Sequence, residues 1–532
     1  MERRFILPEI GFAQISITWP AALVKVYQRL ASSRHSTFMG GIALYLLCAS
    51  VLSLIIFVTP ALLGTDDYYH VRIATQIIEQ GKLRLDFPWL PNTLLNPEHF
   101  VDHHLLYHLY IAPWAFVGGI NGAKLAAVSI AAGVFVATWI LLRGISVSAA
   151  SLWTLALFGV STPFLYRLLM IRTQGMALLL LILALHVLFQ RRYRWLILLA
   201  FAYTWLYNGF VLIIAFSALY MLGKWLTMRQ YDWRPVVYTT LGVGLGLVIN
   251  PYFPQNILFA VEHLGAKVDL GSSIQVGNEW YPYTTEALLN NSTGALILLT
   301  VGLLHTSFNR RQRDTVDNTL LLAAFVTLFM VFQSRRFIEY FPAFALLFSA
   351  AAWGRSGPHD QRILTRVNRY QRQITLIIVL IIGSVLIRNT VINVYRDTQA
   401  AKDVETFAGA AAWLEENTAP GSLVFQTDWD DFTRLFYYNT HNTYLVGLDP
   451  TYLQLARPDL WNQWVALTRG QIAQPSRMIY ENFGAEYVVS DSNHAGFVDQ
   501  TRSDPALELV FRDAYSYIWQ VQLDQLARNP AS

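Results

Sequence analysis

One cysteine in 532 residues, Cys48 within an apolar run, excludes a disulfide framework and leaves the redox compartment unmarked. Charge is scarce as well. Only 14% of residues are Asp, Glu, Lys or Arg, against roughly a quarter in soluble domains. The net charge of +4 is too small to argue for nucleic acid as a partner. No internal repeat or low-complexity segment is evident, which counts against a carrier built from inverted repeats. Segment 1–38 carries Arg3, Arg4, Lys25, Arg29 and Arg34 but no small-residue cleavage site behind a short apolar core, so a removable signal peptide is not expected.

Apolar surface is what the chain has in excess: 54% of residues are hydrophobic and the mean hydropathy is +0.36. A spanning helix needs about 20 mostly apolar residues. Runs near that length fall at 39–60, 121–142, 147–165, 174–190, 195–208, 210–223, 235–250, 291–305, 318–333, 338–353 and 373–391. The sequence therefore predicts a polytopic α-helical membrane protein with about eleven spans.

Lys and Arg are retained on the cytoplasmic side. With the N-terminal segment 1–38 inside, Arg143, "RRYR" 191–194, 224–234, "NRRQRD" 309–314 and 354–372 all become inner loops. The transmembrane domain is then 39–391, with outer loops 61–120 and 251–290. Residues 392–532 form an extracytoplasmic α/β domain, with a helix over "DVETFAGAAAWLEENT", strands at "SLVFQT" and "YVVS", and a hairpin at "ELVFRDAYSYIWQV". Stretch 103–119, aromatic and His-bearing, reads as an interfacial helix. The expected location is the cell (inner) membrane, with the working face extracytoplasmic.

On that face, "LLGTDDYYHVRIA" 62–74 follows directly on the first span and crowds Asp66, Asp67, His70 and Arg72 together. Two readings stay open from the residues alone: a polar helix end with Arg72 pairing a carboxylate, or an acid/base or metal site. The pattern Asp66, Tyr68, Tyr69, Arg72 resembles the first-loop signature of oligosaccharyltransferase catalytic subunits, with Asp67 where that family has proline. Those proteins are GT-C membrane glycosyltransferases. The resemblance implies a GT-C fold, a polyprenyl-linked phosphate sugar donor, and Asp66, with its neighbour Asp67, as catalytic carboxylates.

Other stretches extend it. "YPYTTEALL" 281–289 looks like the family's Thr-x-x-Glu motif at Thr284 and Glu286, one residue tighter; the plain alternative is an N-capped helix. "SRRFIEYF" 334–341 places Arg335 and Arg336 outside, against the charge bias. With Arg72, Arg167 and Arg172 they are candidate donors to the phosphate. "TDWDDF" 427–432 keeps Trp429 and Asp430 of the acceptor-binding motif, and these with Tyr69 and His70 are the candidate acceptor contacts; a solvated turn is the alternative.

The family's second acidic pair is missing, because 166–175 holds Arg167, Arg172 and Gln174 and no carboxylate. A divalent cation, Mg2+ or Mn2+, would therefore draw on Asp66, Glu286, His103 and His104, and a metal-independent mechanism stays open. His104 and His108 have i, i+4 spacing and can share a metal if helical. The expected partners are the polyprenyl-linked donor, membrane lipids and a glycan, lipid or protein acceptor, with no nucleic acid. The rival classes are a flippase for lipid-linked saccharide and a membrane-anchored binding protein. Charges at span mouths along one face favour an enzyme over both.

Overall fold

The computed structural model describes residues 34–269, 277–308, 313–355 and 369–528. Most of segment 1–38, the basic run 309–312, loop 356–368 and part of loop 251–290 lie outside the described residues.

The apolar runs form helices α1 (Arg34–Ile56), α2 (Thr65–Gln80), α3 (Leu105–Gly144), α4 (Thr162–Leu168), α5 (Thr173–Phe189), α6 (Trp195–Leu206), α7 (Val211–Met228), α8 (Arg234–Val248), α9 (Thr285–Phe308), α10 (Thr315–Gln333), α11 (Phe341–Gly354) and α12 (Arg369–Gln399). By length and composition six of the described helices can cross a membrane, and α4 with α5, bent by 102°, make a seventh candidate. Four apolar helices of 10–17 residues accompany them. Helix α11 is apolar on every side, and all of it except Trp353 is buried. That places it at the centre of the bundle.

One difference from the sequence reading has a local cause. The run 147–165 is not one helix: the chain breaks at Ser161, whose side chain caps α4 by accepting from the Phe164 amide, and Pro163 follows in the first turn. Helix α3 is two arms. At Gly119 (φ 54°, ψ −135°) the chain reverses, Tyr110 Oη donates to the Ala126 carbonyl at 3.1 Å across the bend, and a Cβ on Gly122 would overlap the Trp114 carbonyl oxygen. Arm 105–118 thus packs beside the segment that follows it.

The tail builds a five-stranded sheet in the order β2-β1-β3-β5-β4, from β1 (Leu423–Gln426), β2 (Thr443–Tyr444), β3 (Tyr487–Asp491), β4 (Leu507–Arg512) and β5 (Ser516–Val521). Strand β1 runs parallel to β2 and β3, while β5 pairs antiparallel with β3 and β4. The sheet is seated on the segment between α2 and α3. Trp89 Nε1 donates to Thr440 O at 2.9 Å, the Tyr444 amide donates to Trp89 O at 2.8 Å, and Tyr69, Phe87, Trp89, Phe432 and Phe436 share one apolar cluster. That shared core brings the loop after β1 over the N-terminus of α2.

Candidate active site

Between the loops on this face lies a cavity of about 640 Å3. Asp66, Tyr69 and His70 enter it from α2, His103 and His104 from the start of α3, and Arg167 and Arg172 from the α4–α5 bend. Tyr207, Glu279, Trp280 and Arg336 come from later connections, and Trp429, Asp430, Asp449 and Tyr452 from the tail.

The sequence "GTDD" sets the geometry of the first group. Asp67 is 1% exposed and its Oδ2 accepts from the Gly64 amide at 3.0 Å, so it closes the first turn of α2. A Cβ at residue 64 would come within 2.5 Å of the Asp67 carboxylate and 2.6 Å of Met170, which is why glycine stands there. Of the adjacent pair, Asp67 is turned into the helix cap, and Asp66 faces the cavity.

Asp66 belongs to a network of ion pairs. Arg172 Nη2 donates to Asp66 Oδ2 at 2.7 Å and Nη1 to Glu279 Oε2 at 2.9 Å. Arg167 donates to the same Glu279 oxygen at 2.9 Å and to Glu339 Oε1 at 2.5 Å. Arg336 stands 3.7 Å from Glu279 Oε1, with its guanidinium over the Trp280 ring. Burial acts to raise the Glu279 carboxyl, but Arg172, Arg336 and Arg167 together hold it well below the usual carboxylate range. Burial raises the Asp66 carboxyl in spite of Arg172. Asp430 is pushed up to about 7 by burial and by the nearby Asp66 and Asp428.

The remaining candidates divide. Arg72 lies outside the cavity lining: it donates to Thr440 Oγ1 at 3.1 Å and stands 3.6 Å from Glu79, clamping α2 to the tail. Arg335 is likewise elsewhere, donating to the Tyr281 and Pro282 carbonyls at 3.2 and 3.1 Å. Glu286 is exposed in the first turn of α9, and Thr284 caps that turn by accepting from the Ala287 amide at 3.2 Å. The acidic residue that loop 251–290 delivers to the cavity is Glu279. Sequence reasoning missed Glu279 and Glu339. The signal for Glu279 was a lone carboxylate in an aromatic stretch, and for Glu339 its place in "SRRFIEYF" 334–341.

The same end of the cavity gathers four histidines and Asp102. His108 Nδ1 lies 2.7 Å from Asp102 Oδ2, and His108 Nε2 lies 2.7 Å from His70 Nδ1. His104 sits alongside, its Nδ1 buried without a hydrogen-bond partner. His103 packs its ring against Phe259 at 5.1 Å. Burial, followed by His108 and Arg172, lowers the His70 imidazole well below its ordinary value. Burial and the neighbouring histidines do the same to His104.

The divalent cation that the sequence resemblance implies at Asp66 does not fit this donor set. The Arg172 guanidinium already occupies Asp66 Oδ2, and three guanidinium groups surround Glu279. A unit charge about 4 Å from a like one costs roughly 4 kcal/mol at an effective dielectric near 20, and a dication about twice that.

No family model matches the sequence, and no curated protein does. Solved structures do match. The apo oligosaccharyltransferase of Archaeoglobus fulgidus superposes with a TM-score of 0.65 at 14% identity, over 87% of this chain and 71% of that one. ArnT from Cupriavidus metallidurans gives 0.54 at 13% identity, over 91% and 98%. The mycobacterial arabinofuranosyltransferase AftD gives 0.56 at 13%, over 90% of this chain and 40% of its own. The chain therefore has the fold of the GT-C membrane glycosyltransferases. The Archaeoglobus protein has been captured with an inhibitory peptide and a dolichol-phosphate, and ArnT with undecaprenyl phosphate.

Proposed function

We propose that this protein is a glycosyltransferase that moves a sugar from a polyprenyl-linked phosphate to an acceptor at the outer face of the cell membrane. The observation that carries the reading is Asp66: a cavity-facing carboxylate, held by Arg172, beside a row of cavity arginines, on a fold whose solved examples include captures with polyprenyl phosphates.

Arg167, Arg172 and Arg336 face the charge that builds on the leaving phosphate, where positioned donors lower the barrier most. The acceptor atom forms its bond to the anomeric carbon as the carbon–oxygen bond to phosphate breaks. The bonding pair leaves with the phosphate oxygen, and the acceptor's proton passes to Asp66. At Asp66 Oδ2 the positive charge is supplied by Arg172. Trp429, Tyr452 and Trp280 offer aromatic faces and Asp430 a carboxylate for a hydroxyl-rich acceptor. The charged lining comes from helix ends and breaks on one side, unlike the midplane site of a carrier.

The protein reconstituted in liposomes with polyprenyl-linked sugar donors and a panel of glycan, lipid and peptide acceptors is expected to release polyprenyl phosphate and label an acceptor. A lipid that co-purifies should be identified by mass spectrometry as a polyprenyl phosphate or its sugar conjugate. Movement of intact donor across the bilayer without cleavage would instead identify a flippase.

The same reading fixes the orientation. In a Cys48→Ala background, Ser503→Cys, exposed in the tail, should react with a membrane-impermeant thiol reagent from outside only. Arg192→Cys, exposed in "RRYR" 191–194, should react only after the membrane is opened. The reverse pattern would put the cavity on the wrong face.

A further inference from the structure

We propose that His70, His104 and His108 form a binding site for a late first-row divalent ion of the zinc type, at the floor of the cavity and separate from the Asp66 pair. One nitrogen from each of the three rings lies within 4.8 Å of the others. The proposal stands whether or not the cavity transfers a sugar.

Three features of this cluster belong to ligands rather than to a packed core. First, Asp102 is 2% exposed and accepts from the Nδ1–H of His108, so the His108 Nε2 lone pair is turned toward His70 Nδ1, 2.7 Å away. A buried carboxylate behind an imidazole is the arrangement that fixes the tautomer and orientation of metal-bound histidine. The other Asp102 oxygen accepts the His104 backbone amide at 3.0 Å, so this support is itself fixed and reaches two of the three ligands. Second, His104 Nδ1 is buried with no hydrogen-bond partner. A buried polar nitrogen left so costs free energy that a ligand would recover. Third, His70 and His104 line the cavity while His108 is fully buried. Three protein nitrogens with one side open to the cavity is the donor set of a zinc site that keeps a position for water or substrate.

The ring nitrogens of His70 and His108 lie 2.7 Å apart. In a tetrahedral site with bonds of about 2.05 Å, ligand atoms stand roughly 3.3 Å apart. Opening this contact by about half an ångström and bringing the His104 nitrogen, within 4.8 Å, to the same spacing forms the site by ring movements. None of the three imidazoles has a guanidinium as its hydrogen-bond partner, although Arg172 acts on His70 and Arg336 on His104 at longer range, and Asp102 supplies a negative charge behind His108. Imidazole donors select zinc, cobalt, nickel or copper over magnesium, which takes oxygen ligands and keeps its water. His70 lies one helical turn after Asp66, so a bound ion would lock α2 to arm 105–118 and hold the Asp66 carboxylate in register.

The test uses the full-length protein in detergent, stripped with chelator and reloaded with Zn2+, Co2+ or Mg2+. Elemental analysis should find about one Zn2+ or Co2+ per chain and no Mg2+. Co2+ should give the visible absorption of a four-coordinate site, and X-ray absorption at the zinc edge should count three imidazoles in the wild-type protein. Asp102→Asn should weaken zinc 10- to 100-fold, and His104→Ala should abolish stoichiometric retention. A wild-type chain that retains no zinc overturns the site and leaves Asp102, His108 and His70 as a hydrogen-bonded chain only. Zinc retained equally in His104→Ala, or fewer than three imidazoles at the edge, also overturns it.

Discussion

Asp66→Asn is expected to give folded, correctly inserted protein that transfers sugar at least about a hundredfold more slowly, the lower range for a lost general base. The amide keeps the size of the side chain and can still accept from Arg172, so the local packing is retained. What disappears is the proton acceptor. The comparison is Asp67→Asn. Asp67 accepts from the Gly64 amide within the cap of α2, and an asparagine carbonyl can do the same, so its rate should fall less. Initial rates must be measured at matched expression and melting temperature. A dead Asp67→Asn with an active Asp66→Asn would exchange the roles of the two residues. Two active variants would return both to the architecture of a helix end.

The second large effect is expected at Arg172, through stability and rate together. Its guanidinium is the only group hydrogen-bonded to both Asp66 and Glu279 among the described residues. Arg172→Ala leaves Asp66 without its partner in a largely desolvated place. Breaking a buried pair costs about 3–5 kcal/mol, and the lower end applies because the Asp66 side chain is 32% exposed. Transfer should fall at least as far as in Asp66→Asn, since a donor to the leaving phosphate is lost as well. Arg172→Lys restores charge but not the planar fork that reaches two carboxylates. It should recover more of the melting temperature than of the rate. An Arg172→Ala protein that melts and turns over like wild type would remove this residue from the mechanism.

Much of the architecture was legible in the residues because it rests on properties local to the chain. Apolar runs of spanning length located the helices, β-branched alternation located β1 and β3, and the turn between β4 and β5 is short enough to see. The break at Ser161 was harder: it interrupts a run whose composition is continuous, and a cap leaves little trace in hydropathy.

At the cavity, the "DDYYHVR" pattern carried Asp66, Tyr69 and His70, yet residue type alone could not sort the five arginines. Arg335 and Arg336 are neighbours of the same charge on the same turn. One is tied to carbonyls of the preceding loop and the other faces Glu279.

The sequence by itself determined a membrane bundle with its chemistry gathered on one face, because hydropathy and charge are sums over neighbouring residues. Which carboxylate meets which arginine was decided only by the tertiary structure. Asp66, Arg172, Glu279 and Glu339 are separated by long stretches of chain, and the tail's Trp429 and Asp430 reach them through the aromatic core that seats the sheet on the segment between α2 and α3. A contact of that kind depends on how helices pack and where a loop is pinned, and no local pattern encodes it.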